Sequence, residues 1–346
     1  MRSKTYIATP PGETIKEQLL DRAMSQKEFA VRMNMSEKHI SKLINGEVQL
    51  TTDMALRLEM VLGLPAHFWT NLENIYREKL AKVQAENDLM EDIIIAKKFP
   101  YNEMAKYKWV PDEKKIENRV FNLRKYFEVV KLSLLKDDCL SGISFRRLGE
   151  SEKGDYALIA WSQKAKLEAR KIVVSSINID KLKKKLTIIR KMTQLEPSIF
   201  CSQLSEILAE CGIAIVFLPS IGGSYLHGAT FYDGSKIVLG MTVRGKDADR
   251  FWFSLFHELG HIILGHLNNT NANDEIEADI FARDTLISMA DWQNFIDKKL
   301  YNKSNIVTFS NEEEIAPSIV LGRLQKEHYV SFSSFNELKA KYEINE

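Results

Sequence analysis

The stretch Phe251–His266, FWFSLFHELGHIILGH, constrains the chain more than any other. His257 and His261 are four positions apart, so a helix of 3.6 residues per turn projects both from one face. Leu255, Phe256, Ile262, Ile263 and Leu264 surround them, which predicts a largely buried helix. An unpaired polar group in such a place costs roughly 2–7 kcal/mol. A metal ion shared by the two imidazoles removes that cost, and the H-E-x-x-H spacing suits zinc. Glu258 lies one residue beyond the first ligand, where it can act on a metal-bound water without coordinating. A zinc site of this kind takes a third protein ligand and keeps a fourth position open. The next acidic helix start, Asp274-Glu275-Ile276-Glu277-Ala278-Asp279, supplies it, and Glu275 is the expected ligand.

Two neutral imidazoles and one carboxylate leave zinc with one net positive charge. That charge lowers the pKa of bound water towards ~7 and polarises a peptide carbonyl. Glu258 would take the water proton and return it to the leaving amine. A donor for the tetrahedral oxyanion is also needed. Tyr225, His227, Tyr232 and His266 are candidates, and the sequence does not choose among them. His266 is five residues past His261, points off the ligand face and reads as a structural or supporting group. Asp279 shares a helix face with Glu275 and could accept the second N–H of a ligand imidazole.

His257-Glu258-Leu259-Gly260-His261, then Leu264-Gly265-His266, then Glu275-Ile276-Glu277-Ala278-Asp279-Ile280-Phe281-Ala282 resembles the ImmA/IrrE metallopeptidases from about Phe200 onward. Asp279 stands where that family commonly has Asn, and keeps a hydrogen-bonding side chain. The resemblance implies a zincin-like fold and regulated cleavage of a repressor or antitoxin-type protein in stress, prophage or toxin–antitoxin control.

Near the other end, residues 10–80 read as five short helices. Ser25 and Glu28 form a capping box, Ser36 caps the third helix, Asn45-Gly46 ends it through a left-handed cap, and Thr51-Thr52-Asp53 starts a fourth helix, Met54–Leu62. Phe29, Ala30, Met33, Ile40, Leu43 and Ile44 give the second and third helices a common core, the pattern of a helix-turn-helix. The third helix leaves Glu37, Lys38, His39, Ser41, Lys42 and Asn45 outside, groups able to meet base edges and phosphates in a major groove. Gln26, at the start of the second helix, is placed for a backbone phosphate. The runs SQKEFA, ISKLINGE, MALRL and Phe68-Trp69 resemble XRE-class regulators, HigA-type antitoxins in particular, over about Pro10–Tyr76. With 48 Lys+Arg against 47 Asp+Glu, the net charge is +1, so DNA affinity must come from this local surface rather than from bulk charge.

The expected organisation is α+β: an all-α helix-turn-helix domain over 1–80, a helical connecting segment over 81–195, and a zincin-like peptidase domain over 196–346 with a small antiparallel sheet. In the connecting segment Ala157–Ala169 reads as a helix. A lysine surplus from Lys164 to Lys191 reads as a solvated face more readily than as a contact for phosphates. In the third segment a helix, Ser198–Cys211, precedes a strand at Ile213–Leu218. A hairpin then turns at Asp233-Gly234-Ser235, and Asn268–Asn273 reads as a polar loop. The strand Lys236–Leu239 is either an exposed edge able to pair with an extended peptide or an interior strand. Three widely spaced cysteines, Cys139, Cys201 and Cys211, fit reduced thiols. With no apolar leader and no run of ~18 apolar residues, the chain is expected in the cytoplasm and off the membrane.

Two functions follow. The first is a zinc endopeptidase carried on a DNA-binding regulator, with double-stranded operator DNA and a protein substrate as partners and a homodimer as its assembly. The second is a HigA-like repressor whose peptidase fold is a non-catalytic sensor or platform.

Overall fold

Three hydroxyl side chains start helices in the N-terminal part. Ser25 accepts from the Glu28 amide at 3.1 Å, Ser36 from His39 at 3.2 Å and Thr51 from Met54 at 3.3 Å. Each satisfies a donor that the first helical turn leaves without a partner. The resulting helices are α1 (Gly12–Asp21), α2 (Gln26–Arg32), α3 (Glu37–Ile44), α4 (Thr52–Leu62) and α5 (Ala66–Ala96). Helix α4 thus begins two residues before the expected Met54, with Thr51 alone as its cap. Gly46, just past α3, takes the expected left-handed conformation at φ 73°. Ile15, Phe29, Ile40, Leu58 and Trp69 are fully buried at the centre of these helices. Arg57 fastens α4 to the end of α2 by donating to the Met33 carbonyl.

This computed structural model describes residues 1–136, 152–222, 226–243, 246–267 and 273–343, in two units, 1–94 and 95–346. Cys139 and most of the Asn268–Asn273 loop fall outside the described residues.

The second unit contains α6 (Tyr101–Lys106), α7 (Ile116–Phe127), α8 (Glu152–Ala169), α9 (Ile179–Lys191) and α10 (Pro197–Ala209). Strands β1 (Ile213–Phe217), β2 (Gly228–Asp233) and β3 (Lys236–Met241) follow. The rest is α11 (Ala248–Leu264), α12 (Asp274–Leu286), α13 (Met289–Asp297), α14 (Lys303–Glu312) and α15 (Pro317–Lys326). The α+β class holds, and β2 and β3 form the expected hairpin. The sheet order is β1-β3-β2, however, and β1 pairs parallel to β3, so the sheet is mixed rather than antiparallel. A tight turn announces a hairpin locally. A parallel neighbour is set by a longer return path that carries no such signal.

That order also decides the role of Lys236–Leu239. β3 is the central strand, so the exposed-edge reading falls, and β2 is an outer strand beside it. Alternate residues divide the sheet between two helical layers. Ile213, Ile215, Ile237, Leu239 and Met241 share a core with Phe200 and Leu204 of α10 and Trp252, Leu255 and Leu259 of α11. Gly240, of the opposite parity, lies under Trp161 of α8, where a Cβ would come within 2.4 Å of the indole. Both indoles are fully buried. Each removes roughly 150–250 Å² from water, one on each face, so the sheet sits at the centre of the unit.

The end of α8 and the residues just after it also hold the hairpin through polar contacts. Lys236 Nζ donates to the carbonyls of Ala169 and Ile172, and Arg170 links Glu128 to Asp233. The lysine surplus is largely spent inside the unit. Lys164 and Lys171 pair with Glu168, Lys181 and Lys185 with Glu210, and Lys191 with Glu314. The paired lysines fit the solvated face, while Lys183 and Lys184 are exposed. No helix among the described residues is long and apolar enough to cross a membrane.

Candidate metal centre and DNA-facing helix

Helix α11 ends at Gly265 (φ 82°), whose amide donates to the His261 carbonyl. α12 then packs closely against α11 because Gly260 has no side chain. A Cβ there would sit 3.0 Å from Phe281 and 3.3 Å from the Ala278 backbone. That close approach brings Glu275 to the two histidines.

The geometry tests whether an ion fits. His257 Nε2 and His261 Nε2 face each other at 3.0 Å. Glu275 lies 3.3 Å from the first through Oε2 and 3.5 Å from the second through Oε1. Around a tetrahedral zinc with bonds of ~2.0–2.1 Å, donor atoms stand about 3.3 Å apart. The three side chains therefore have the spacing and donor chemistry of a two-histidine, one-carboxylate site.

Two further residues face the outer nitrogens of the pair. His257 Nδ1 is 2.8 Å from Asp279 Oδ1, and His261 Nδ1 is 3.2 Å from His266 Nδ1. His266 Nε2 in turn lies 3.3 Å from Glu277. The E-x-E-A-D run thus sends Glu275 to both rings, Glu277 to His266 and Asp279 to His257. Burial works against a charge on His257, but hydrogen bonds to Asp279 and Glu275 and the nearby Glu258 hold its pKa up at about 9. Burial, then the charge of His257, push His261 down to about 4.

Glu258 is 4% exposed. The Thr230 hydroxyl donates to its Oε2 at 2.5 Å. Gly228, two residues earlier on the same face of β2, clears the rest of the side chain, since a Cβ there would lie 2.8 Å from Glu258 Cγ. Sequence reasoning missed both residues. Their period-2 spacing was visible, but which helix that strand face meets was not. Among the oxyanion candidates, Tyr225 lies outside the described residues. His266 is engaged with His261 and Glu277. His227 precedes β2, with its carbonyl bonded to the Thr242 amide. Tyr232 is exposed and shares the β2 face of Thr230.

In the first unit, α3 exposes Lys38 and Lys42, with Ser41 half-buried and the following Asn45 exposed, and Gln26 is half-buried at the first position of α2. His39 is half-buried like Ser41, and its Nε2 is buried without a hydrogen-bond partner among the described residues. Lys42→Ala is expected to weaken operator binding about equally across sequences and to lower the slope of log K against log salt by about 1 if it meets a phosphate. An unchanged slope in fluorescence anisotropy titrations would place Lys42 off the backbone.

Comparison with known proteins agrees with both halves. Residues 15–69 match the helix-turn-helix family, and residues 210–334 match the IrrE N-terminal-like domain. The uncharacterized HTH-type transcriptional regulator YddM of Escherichia coli (strain K12) is 36% identical over 66 residues, which cover 19% of this chain and 70% of that protein. YbaQ of the same strain, also an uncharacterized HTH-type transcriptional regulator, is 32% identical over 74 residues, 21% of this chain and 66% of its own length. Virulence-associated protein I of Dichelobacter nodosus is 30% identical over 76 residues, 22% of this chain and 70% of its own length. Among solved structures, an addiction module antidote protein of a HigA family from Coxiella burnetii is 29% identical, with 27% of this chain and 96% of that chain covered at a TM-score of 0.22.

Proposed function

Because this chain belongs to the helix-turn-helix transcriptional regulators and carries an IrrE-like peptidase domain behind the DNA-binding one, we propose that it is a regulator with metal-dependent endopeptidase activity. Its substrate class is a repressor or antitoxin-type protein. The observation that carries this reading is the convergence of His257, His261 and Glu275 at 3.0–3.5 Å with Glu258 buried alongside.

In this reading His257, His261 and Glu275 hold one zinc ion, and Asp279 and His266 fix the two rings in the ligating orientation. When bound, zinc supplies Lewis acidity towards a peptide carbonyl and water. Glu258 removes a proton from the attacking water and delivers it to the departing amine. Thr230 keeps that carboxylate in one rotamer, so its reach does not have to be found anew in each turnover. Lys38, Lys42 and Gln26 meet phosphates of double-stranded DNA, and Ser41 and Asn45 read base edges. A homodimer would set two α3 helices on half-sites one helical turn apart. A cytoplasmic location follows from such a DNA partner.

The test is incubation of the purified protein with the products of its neighbouring genes, with and without chelator. Cleavage of one partner at a defined bond, lost with chelator, is the expected result. Intact partners beside a metal-loaded, operator-binding protein would favour the antitoxin-like function instead.

A further inference from the structure

The IrrE-like match stops at residue 334, yet the chain beyond it returns to the helix that carries the ligand histidines. Gln325 of α15, 1% exposed, prepares this return. Its Nε2 lies 3.0–3.4 Å from the carbonyls of Ser331, Phe332 and Ser334 and from Asn336 Oδ1. From there Lys341 bridges antiparallel to Asp247. The Ala248 amide donates to the Ala340 carbonyl at 3.0 Å, and the Tyr342 amide to the Lys246 carbonyl at 2.7 Å. Ala248 is the first residue of α11, and Asp247, its cap position, makes no side-chain cap bond. The returning segment thus supplies an acceptor that the helix start itself lacks.

Side chains add to this. Lys339 pairs with Asp249 at 2.9 Å with both side chains about nine-tenths buried, and Lys341 pairs with Asp247 at 3.3 Å. Tyr342, 6% exposed, packs its ring 5.5 Å from Phe200 and 5.6 Å from Phe251. Its hydroxyl accepts from Trp252 Nε1 at 3.0 Å. Trp252 precedes His257 by five residues, about 7–8 Å of helix rise.

We infer that residues 339–343 are a latch that seats the N-terminal half of α11 and so sets how much of the population holds His257 and His261 ready for a metal ion. The latch rests on the metal reading of those histidines. Its logic is that of a pre-equilibrium. Apparent affinity scales with the competent fraction, and a helix start stripped of its acceptor, its ion pairs and its aromatic plug spends more time frayed. Whatever displaces 339–343 would then weaken the site from its far end without touching a ligand.

The experiment compares the full-length protein with Tyr342→Ala and Tyr342→Phe. Zinc affinity is measured by competition with a chromophoric chelator, and amide hydrogen exchange is followed over 249–256. Tyr342→Ala should bind zinc on the order of 10-fold more weakly, as expected when the competent fraction falls to about a tenth, and its α11 amides should exchange faster. Tyr342→Phe keeps the ring and loses the bond to Trp252, so it should fall between the two. It decides the matter if Tyr342→Ala does not fold. Wild-type zinc affinity together with wild-type exchange in the folded variants would overturn the latch. If the unmodified protein takes up no zinc, the metal reading fails by itself, and the exchange rates over 249–256 still decide whether 339–343 hold the helix.

Discussion

Glu258→Gln should abolish proteolysis while leaving fold, metal content and operator affinity near wild type. The amide keeps nearly the same volume in a pocket where Glu258 is 4% exposed, between the clearance left by Gly228 and the hydroxyl of Thr230. It can still accept from Thr230 through its oxygen, and none of the three ligands changes. What it cannot do is take a proton. General acid–base help alone is worth about 10²–10⁴ in rate, and water activation fails with it, so the loss should reach several orders of magnitude. In cells, a protein that acts by cleavage should, as Glu258→Gln, let its uncleaved partner accumulate and keep target genes silent. Normal regulation by this variant, with wild-type zinc and DNA binding, would remove support for the peptidase and favour the antitoxin-like function.

The second large effect is on stability. His261→Ala should lose the metal, because its Nε2 stands 3.0 Å from His257 Nε2 and 3.5 Å from Glu275, and two remaining donors make a poor site. An ion that binds only the folded state at about 1,000 times its Kd stabilises by ~4 kcal/mol. At roughly 2–4 °C per kcal/mol for a unit of this size, Tm should drop by roughly 8–16 °C in zinc-containing buffer. The effect is one of linkage, so chelator should bring the wild type down close to the variant. A gap of the same size with chelator present would mean that His261 acts through packing and not through a metal.

Much of this arrangement could be read from the sequence, for reasons particular to each element. The helix-turn-helix was legible because Ser25, Ser36 and Thr51 act within three residues of themselves, and because the apolar positions Phe29, Ile40 and Leu43 repeat at helical spacing. His257 and His261 were legible for the same reason, since a four-residue interval fixes a shared face whatever the rest of the fold does. Glu275 was reached through a motif, and Gly260 gives its physical basis, the clearance that lets α12 come close. The illegible parts are those set by partners far away in sequence. Thr230 meets Glu258 across 28 positions. The parallel pairing of β1 with β3 depends on where the chain returns after Phe217. The strap of Tyr342 across Trp252 spans 90 positions, and no pattern in either segment anticipates the other.

One ion held by three side chains from two helices underlies the proposed chemistry. Native mass spectrometry and elemental analysis of the full-length protein, beside the His257→Ala/His261→Ala double variant, address it directly. About one zinc per chain is expected in the unmodified protein, as its donor set would hold, and none in the double variant. Full zinc occupancy in the double variant would contradict it.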